Sequence, residues 1–257
     1  MTELPRRTIL SGLASLPLAT VLADPRLSRA AAESLEGITI TTDGGRQVTA
    51  ALARPQETPA AAVLLIHEWW GLNDQIKAVA NELASKHGYL ALTVDLYGGK
   101  VAETPQRARD LMEQVDPEAA TDTLESWIGW LRDHDAGTGK VGTIGWCFGG
   151  GWSLNASIAA PVDATVIYYG RVTRPAADLK QLDGPVLGHF ATEDNFIDEA
   201  MVGGFEREMA AAGQPLTTHW YTADHAFANP TGKRYDKADA QLAWSRTLAF
   251  LAEHLQD

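Results

Sequence analysis

Runs of apolar residues alternate with amphipathic helical patterns along most of this chain of 257 residues. Residues 61–66 form a continuous apolar run, which is typical of a strand buried on both faces. Asn73 then provides a helix N-cap, and Ile76, Val79 and Leu83 follow it at helical spacing. Because strands that alternate with helices form parallel sheets, the sequence predicts an α/β fold, with a mostly parallel central sheet and helices on both faces. Further strands are predicted at residues 88–94, 140–144, 164–169, 185–190 and 217–221, and further helices at residues 124–131, 151–158, 198–212 and 244–255.

An antiparallel hairpin is predicted before the first buried strand. Residues 37–42 and 47–53 are β-type runs, and they flank the turn Asp43-Gly44-Gly45. We therefore expect residues 33–257 to form a single domain that opens with an N-terminal β-hairpin.

The N-terminus resembles a bacterial twin-arginine export signal. Arg6-Arg7 precedes a modest apolar stretch that is broken by Pro17 and followed by small residues. That stretch is too short and too mildly apolar for a stable membrane anchor. Residues 1–32 are therefore predicted to be an export signal or disordered, with the periplasm as the destination, or the cytoplasm if the motif is incidental.

The charge and the cysteine content exclude several classes of function. The net charge of −12 argues against nucleic acid and anionic membranes as partners. With one cysteine in the chain, neither an internal disulfide nor a zinc site built on a cysteine pair is possible. The chain also has no His-Glu-x-x-His motif. We therefore predict no metal and no cofactor. The composition does not indicate an oligomeric state.

The segment Gly145-Trp146-Cys147-Phe148-Gly149 has the pattern of a nucleophile elbow, because it follows a predicted strand and precedes a predicted helix. Glycines on either side suit a tight turn in which the central residue has a strained backbone. The first amides of the helix would face the Cys147 thiol, lower its pKa and donate to an oxyanion. The alternative interpretation is a small core cysteine in a glycine-rich turn.

The order of reactive residues along the chain is Cys147, an acid and His225, which is the α/β-hydrolase order of nucleophile, acid and base. A base is needed to form the thiolate, and an acid fixes the tautomer of that base. Asp194 is the preferred acid since it lies just past a predicted strand, and Glu193 and Asp198 remain alternatives.

Several motifs in this order make the chain resemble the dienelactone hydrolase family of α/β-hydrolases over roughly residues 37–256. The resemblance implies a triad of Cys147, His225 and Asp194, and an oxyanion hole formed by the backbone amides of Trp69 and Phe148. It also implies that Glu68 interacts with the resting thiol and helps to form the thiolate. The motifs are His67-Glu68-Trp69-Trp70-Gly71-Leu72-Asn73, Asp95-Leu96-Tyr97-Gly98-Gly99, the elbow, Tyr168-Tyr169-Gly170, His225-Ala226-Phe227-Ala228-Asn229-Pro230 and Ala243-Trp244-Ser245-Arg246.

Two positions depart from the family pattern. Dienelactone hydrolases hold the substrate carboxylate with two arginines, and Gly99 and Asn229 occupy the corresponding positions here. We therefore expect a substrate other than dienelactone, since neither residue can form an arginine fork. Lys100 or Arg171 is a candidate replacement cation. Tyr97 and Trp69 are candidate residues of the substrate pocket.

The leading hypothesis is thus a cofactor-free hydrolase that takes a small-molecule ester or lactone. The first alternative is a non-catalytic binding protein with the same fold and a degraded site. The second is a thiol redox sensor, although the chain has no second cysteine to form a disulfide with Cys147.

Overall fold

The computed structural model describes residues 15–256, so Arg6 and Arg7 of the export motif lie outside the described residues. Within that range eight strands form one sheet in the order β1-β2-β4-β3-β5-β6-β7-β8. The strands are β1 (Glu36–Thr41), β2 (Gln47–Ala53), β3 (Ala60–Ile66), β4 (Leu90–Val94), β5 (Gly137–Trp146), β6 (Ala164–Tyr168), β7 (Val186–Ala191) and β8 (Leu216–Tyr221). The helices are α1 (Leu18–Ala23), α2 (Pro25–Ala32), α3 (Asp74–His87), α4 (Pro105–Glu113), α5 (Pro117–Arg132), α6 (Phe148–Ala159), α7 (Ala176–Leu179), α8 (Glu199–Ala212) and α9 (Lys237–Leu255).

The sheet is mostly parallel, as the sequence predicts. The predicted hairpin forms β1 and β2, and β2 pairs antiparallel with β4. All other neighbouring strands pair in parallel. Because parallel strands end at the same edge of a sheet, the segments that follow β3, β5, β7 and β8 meet there.

Helices cover both faces of the sheet. Alternate side chains of β3 point to opposite faces, and those on each face pack against helices. Val63 and Leu65 pack into a core cluster that also contains residues of α3 and α9. Leu64 and Ile66 pack into a second cluster with residues of α5. The α/β class and the mostly parallel sheet are confirmed.

The structure contains α4, which the apolar pattern alone does not reveal. Thr104 caps this helix by accepting a hydrogen bond from the Arg107 amide, and Pro105 occupies its first turn. Threonine followed by proline is a helix-start signal that the sequence does carry. Only Ala108 and Leu111 of this helix are buried, so its periodic apolar signal is weak.

The structure also places α1 and α2 against α3, whereas the sequence predicts that residues 1–32 lie outside the fold. Lys86 Nζ donates to the carbonyl oxygen of Leu16 (2.6 Å), and Gln75 Nε2 donates to that of Leu22 (3.0 Å). Val21 and Ala31 pack against Ala78 of α3. Small and apolar residues that suit an export signal therefore also suit a helix packed on the domain. No helix in residues 15–256 combines the length and apolar character needed to cross a bilayer.

Candidate active site

Cys147 joins β5 to α6 in a strained backbone conformation, with φ 55° and ψ −115°. Its amide donates to the carbonyl oxygen of Tyr168 (3.0 Å), and its own carbonyl accepts from the Gly150 amide (3.0 Å). Tyr169 and Ala226, next to the other site residues, also have positive φ values of 38° and 63°. Such backbone costs about 1–3 kcal/mol per residue and tends to occur at functional sites.

Glycine is required on both sides of Cys147. A β-carbon on Gly145 would overlap the carbonyl oxygen of Gly149, and one on Gly149 would overlap the carbonyl oxygens of Ile66 and His67. The start of α6 is therefore in direct backbone contact with the end of β3. This contact brings the segment that contains Glu68 next to the elbow.

Cys147, His225 and Asp194 form a continuous hydrogen-bonded line. The Sγ atom of Cys147 lies 3.2 Å from Nε2 of His225, and Nδ1 of His225 donates to Oδ2 of Asp194 at 2.7 Å. Asp194 and His225 are buried, and Cys147 is half-buried. The structure thus brings together the three residues predicted to act as nucleophile, base and acid.

The structure favours Asp194 over the two alternative acids, Glu193 and Asp198, as the partner of His225. The Oδ1 atom of Asp194 accepts from the amides of Phe196 (2.7 Å) and Ile197 (3.0 Å), which leaves Oδ2 for His225. Glu193 is exposed. Asp198 instead caps α8 by accepting from the Met201 amide.

The electrostatics favour a protonated His225 beside a charged Asp194. Burial lowers the pKa of His225, but the hydrogen bonds to Asp194 and Cys147 and their charges outweigh it and raise this pKa to about 10. Burial raises the pKa of Asp194, and its hydrogen bond with His225 outweighs this and lowers it overall. The pair is therefore suited to hold a proton next to the sulfur.

Glu68 is buried and belongs to a separate hydrogen-bond group. Asn229 Nδ2 donates to Oε2 of Glu68 at 2.7 Å, and the Tyr169 hydroxyl lies 3.5 Å from Oε1. Burial raises the pKa of Glu68, and the Asn229 hydrogen bond and the charge of His225 reduce that rise. The Tyr169 ring also contacts the His225 ring, with centroids 5.2 Å apart. Tyr169 thus links Glu68 to the triad.

His67 contacts the two segments that carry Trp69 and Phe148, and the sequence analysis assigns it no role. Its Nδ1 lies 2.6 Å from the Glu68 carbonyl oxygen, and its Nε2 accepts from the Leu96 amide at 3.2 Å. Since an amide can only donate, His67 is the neutral tautomer with its proton on Nδ1. Burial lowers the pKa of His67, which agrees with a neutral ring. The ring also stacks on Phe148, with centroids 5.8 Å apart.

The two oxyanion candidates, Trp69 and Phe148, stand at the contact between β3 and α6. Phe148 begins α6, so its amide has no acceptor within its own helix. Trp69 directly follows Glu68, and its half-buried ring packs against Trp70. Tyr97, a predicted pocket residue, is buried and packs against the rings of His67 and Phe148. Tyr97 therefore packs against the residue that directly follows Cys147.

Gly99 and Asn229, the two positions at which the resemblance implies arginines, are both constrained in the structure. Gly99 has φ 82°, a conformation that disfavours any residue with a β-carbon, and Asn229 is engaged with Glu68. Lys100 and Arg171, the predicted replacement cations, are both exposed.

Arg234 is a cation near the site that the sequence did not reveal. It lies over the ring of Phe196 (6.0 Å) and pairs with Asp224 (3.5 Å), and its charge lowers the pKa of Glu68. Phe196 is 62% exposed, and its ring contacts His225. Neither residue lies in a periodic pattern, so only the tertiary structure brings them to the site.

Within residues 15–256, no cluster of three or more His, Cys, Asp and Glu side chains is arranged to hold a metal ion.

The sheet order and the elbow define an α/β-hydrolase fold, and comparisons with known proteins agree. A dienelactone hydrolase-like promiscuous phosphotriesterase from metagenomic libraries superposes with a TM-score of 0.77 at 21% identity, covering 86% of this chain and 99% of that one. An esterase of Thermogutta terrifontis gives a TM-score of 0.63 at 16% identity, covering 86% and 93%. At these identities the likeness concerns the fold alone.

Sequence comparison identifies the family. The pattern of the dienelactone hydrolase family matches residues 48–255, and the chain belongs to this family. A carboxymethylenebutenolidase of Pseudomonas putida is 30% identical over 232 residues, which cover 84% of this chain and 96% of that protein. Carboxymethylenebutenolidase 1 of Cupriavidus pinatubonensis is 26% identical, with the same two coverages. The protein is therefore a hydrolase that acts on ester bonds.

Replacing Asp194 by asparagine is expected to reduce stability in a pH-dependent way. The pKa of His225 rises from 6.5 to about 10 in the folded protein, so its contribution is complete below pH 6.5 and is lost as the pH rises through 10. The pKa of Asp194 lies below 3.8, so its contribution is present above pH 3.8 and is lost as the pH falls through the folded value. The loss should therefore be largest between pH 3.8 and 6.5, as measured by urea denaturation across pH.

Asp198→Asn is the matched control, because asparagine still caps α8. It is expected to follow the wild-type stability profile. Identical profiles for the two variants would contradict the pairing of Asp194 with His225.

Proposed function

We propose that this protein hydrolyses small neutral carboxylic esters or lactones with Cys147 as the nucleophile. The hydrogen-bonded line from Asp194 through His225 to the Cys147 sulfur is the observation that supports this most directly. The fold and family make hydrolysis the expected reaction class, and the site geometry supports the roles of individual residues.

Acylation begins from the state in which His225 is protonated on Nε2 and Cys147 is the thiolate. The thiolate attacks the carbonyl carbon, and the C=O electron pair moves to the oxygen, where the amides of Trp69 and Phe148 stabilise it. When the C=O bond re-forms, the C–O bond to the leaving group breaks. The departing alkoxide takes the proton from His225, which leaves an acyl thioester on Cys147.

Deacylation uses the same groups in reverse roles. Water gives a proton to Nε2 of His225 and attacks the thioester carbonyl, and the resulting oxyanion uses the same two amides. Collapse breaks the C–S bond and restores the Cys147 thiolate beside protonated His225. A thiolate is itself a good leaving group, so the first tetrahedral adduct can expel it and return to the substrate. The adduct goes forward to the acyl-enzyme efficiently only when the leaving group of the ester is also good. Enol lactones, aryl esters and thioesters are therefore the favoured substrate classes.

Neutral substrates are favoured because the two positions that the resemblance assigns to carboxylate binding carry no cation. Gly99 carries no side chain, Asn229 is uncharged, and Arg234 is already paired with Asp224. The buried carboxyl of Glu68 further disfavours an anion at this position.

We expect wild-type protein to prefer 4-nitrophenyl acetate over mono-(4-nitrophenyl) succinate by about tenfold or more in kcat/KM, since one unpaired charge at a desolvated site readily costs that much. Asn229→Arg should reverse the preference, because an arginine can bind the succinate carboxylate in bidentate fashion. Initial rates of nitrophenolate release measure both.

Asn229→Gln serves as the control, because it changes length without adding charge. It should keep the preference for acetate. A wild-type preference for the succinate would contradict the neutral-substrate assignment and leave Cys147 chemistry untouched.

Glu68 is proposed to exchange a proton with the thiol as substrate binds, which its raised pKa would permit. Glu68→Gln is expected to lower kcat/KM for 4-nitrophenyl acetate by about 10- to 100-fold, because the glutamine amide cannot accept that proton. The rate of iodoacetamide alkylation at Cys147 should fall with it. Glu193→Gln, at an exposed neighbour of Asp194, is the control. Unchanged alkylation in Glu68→Gln would contradict this role.

A further inference from the structure

A cavity of about 370 Å³ opens beside Glu68, between α1, α3 and α9. Its volume lies within the range of pockets that hold small organic molecules. Glu68 and Tyr169 form part of its wall, whereas Cys147 and His225 are not among the described residues that line it. The cavity therefore adjoins the candidate active site and shares Glu68 and Tyr169 with it.

The wall that α1 provides is a defined part of the structure. Leu18, Ala19 and Leu22 line the cavity. Gln75 and Lys86 of α3 donate hydrogen bonds to the carbonyl oxygens of Leu22 and Leu16, and these bonds hold residues 16–22 in place. The family match begins at residue 48, so α1 and the cavity wall that it forms lie outside the region shared with the family.

The chemistry of the lining favours a neutral ligand. Apolar side chains of α3 and α9, including Ile76 and Trp244, form much of the wall, and no lysine or arginine is among its described lining residues. The acidic groups in the wall are Glu68 and Glu82, and Glu82 is paired with Lys86. An anion placed here would lose its hydration without gaining a cation.

A polar group in the wall is left without a partner. The Tyr235 hydroxyl is buried, and among residues 15–256 it has no hydrogen-bond partner. Buried polar groups are normally satisfied, so an unsatisfied one in a cavity wall points to a ligand or a water. Asn229, which also lines the cavity, donates its amide to Glu68. Tyr235 thus contributes to the wall a buried hydroxyl that has no partner among residues 15–256.

We propose that this cavity is a second binding site, which takes a neutral and largely apolar molecule that carries one carbonyl or hydroxyl group. The apolar part lies against α1 and α9, and its oxygen accepts a hydrogen bond from Tyr235. The occupant also touches Glu68 and is therefore in contact with a residue of the hydrolytic site. Binding does not require the hydrolysis proposed above, so the two can fail separately.

The test is isothermal titration of the full chain with 2-acetylnaphthalene and with 2-naphthoate. These probes share a ring system and differ in charge, and neither is an ester. Wild-type protein is expected to bind the ketone at one site and to bind the carboxylate about tenfold more weakly or not at all, because the carboxylate has no cation to pair with.

Variants locate the site. Ala19→Phe fills the cavity from α1 and is expected to weaken ketone binding at least about tenfold, because side chain and ligand would overlap. Thr20→Phe, at an exposed position of the same helix, should bind as wild type does. Tyr235→Phe removes only the hydroxyl and should weaken binding by about two- to tenfold, the effect of one neutral hydrogen bond.

Thermal unfolding of each variant shows that it is folded, and Tyr235→Phe is an independent probe if Ala19→Phe fails to fold. No binding of the ketone by wild type would overturn the proposal. So would equal binding of the ketone and the carboxylate, or unchanged binding in both Ala19→Phe and Tyr235→Phe. Binding that Tyr235→Phe weakens while Thr20→Phe retains it would support the assigned position.

Discussion

Replacing Cys147 by alanine is expected to lower kcat for 4-nitrophenyl acetate by about 10⁴-fold or more while the protein remains folded, since removal of a nucleophile eliminates the covalent route. The expected loss is large because His225 and Asp194 have no thiol to activate once the sulfur is gone. The alanine keeps the amides of Trp69 and Phe148 in place. Any residual rate therefore reports oxyanion stabilisation and binding alone.

The controls for this variant concern the fold and the alternative of a non-catalytic binding protein. Far-ultraviolet circular dichroism and thermal unfolding should match wild type, because Cys147 is only half-buried and alanine removes a single sulfur atom. A catalytically inert fold that binds ligands predicts a different outcome, in which wild type and Cys147→Ala show the same background rate. Equal rates in the two proteins would reject the nucleophile assignment.

Replacing Gly145 by alanine is expected to destabilise the protein by about 3 kcal/mol or more, because the new β-carbon overlaps backbone rather than a movable side chain. The overlap is with the carbonyl oxygen of Gly149, in the first turn of α6. To relieve it, α6 would have to move away from β5, and the elbow would lose its geometry. Urea denaturation measures the loss, and failure to fold at all is the same effect at its extreme.

Gly129→Ala is the matched control for this prediction. Gly129 lies within α5, is exposed, and has open space where a β-carbon would be placed. Alanine there is expected to stabilise the protein by about 0.5–1 kcal/mol, since it favours helix and lowers the entropy of the unfolded chain. Similar free energies of unfolding for the two variants would contradict the tight contact at the elbow.

The hydrogen-bonded line of Cys147, His225 and Asp194 was predictable because each of its members follows a strand end. Cys147 follows β5, and Asp194 and His225 come shortly after β7 and β8. A parallel sheet brings those strand ends to one edge, regardless of the length or packing of the helices that connect the strands. The choice of Asp194 over Asp198 was less secure, because sequence order cannot show which carboxylate is already used as a helix cap.

Supporting residues were harder to predict because their roles depend on packing between distant segments. His67 looks like any strand-end histidine, and only its two backbone hydrogen bonds reveal its neutral tautomer. Arg234 and Phe196 are far apart along the chain and meet beside His225 only in the folded protein. Tyr97 is a predicted pocket residue, and the structure adds its ring contact with Phe148, the residue after Cys147.

Local signals also explain where the predicted fold departs from the structure. Both ends of α3 carry clear signals, the Asn73 cap and the left-handed Gly88, and its apolar spacing is regular. The helix α4 has a Thr104 cap but few buried residues, so its apolar periodicity is faint. For α1 the apolar composition fits both an export signal and a packed helix. Composition alone does not distinguish them.

The most direct test of the account is to identify the residue that becomes acylated. Wild-type protein is mixed with 4-nitrophenyl acetate at mildly acidic pH, quenched in acid within milliseconds, and analysed by intact mass and peptide mapping. We predict one acetyl group per chain, located on Cys147 as a thioester that hydroxylamine removes. An acetyl group on another residue in protein that turns over, or turnover without acetylation of Cys147, would contradict the assignment of Cys147 as the nucleophile.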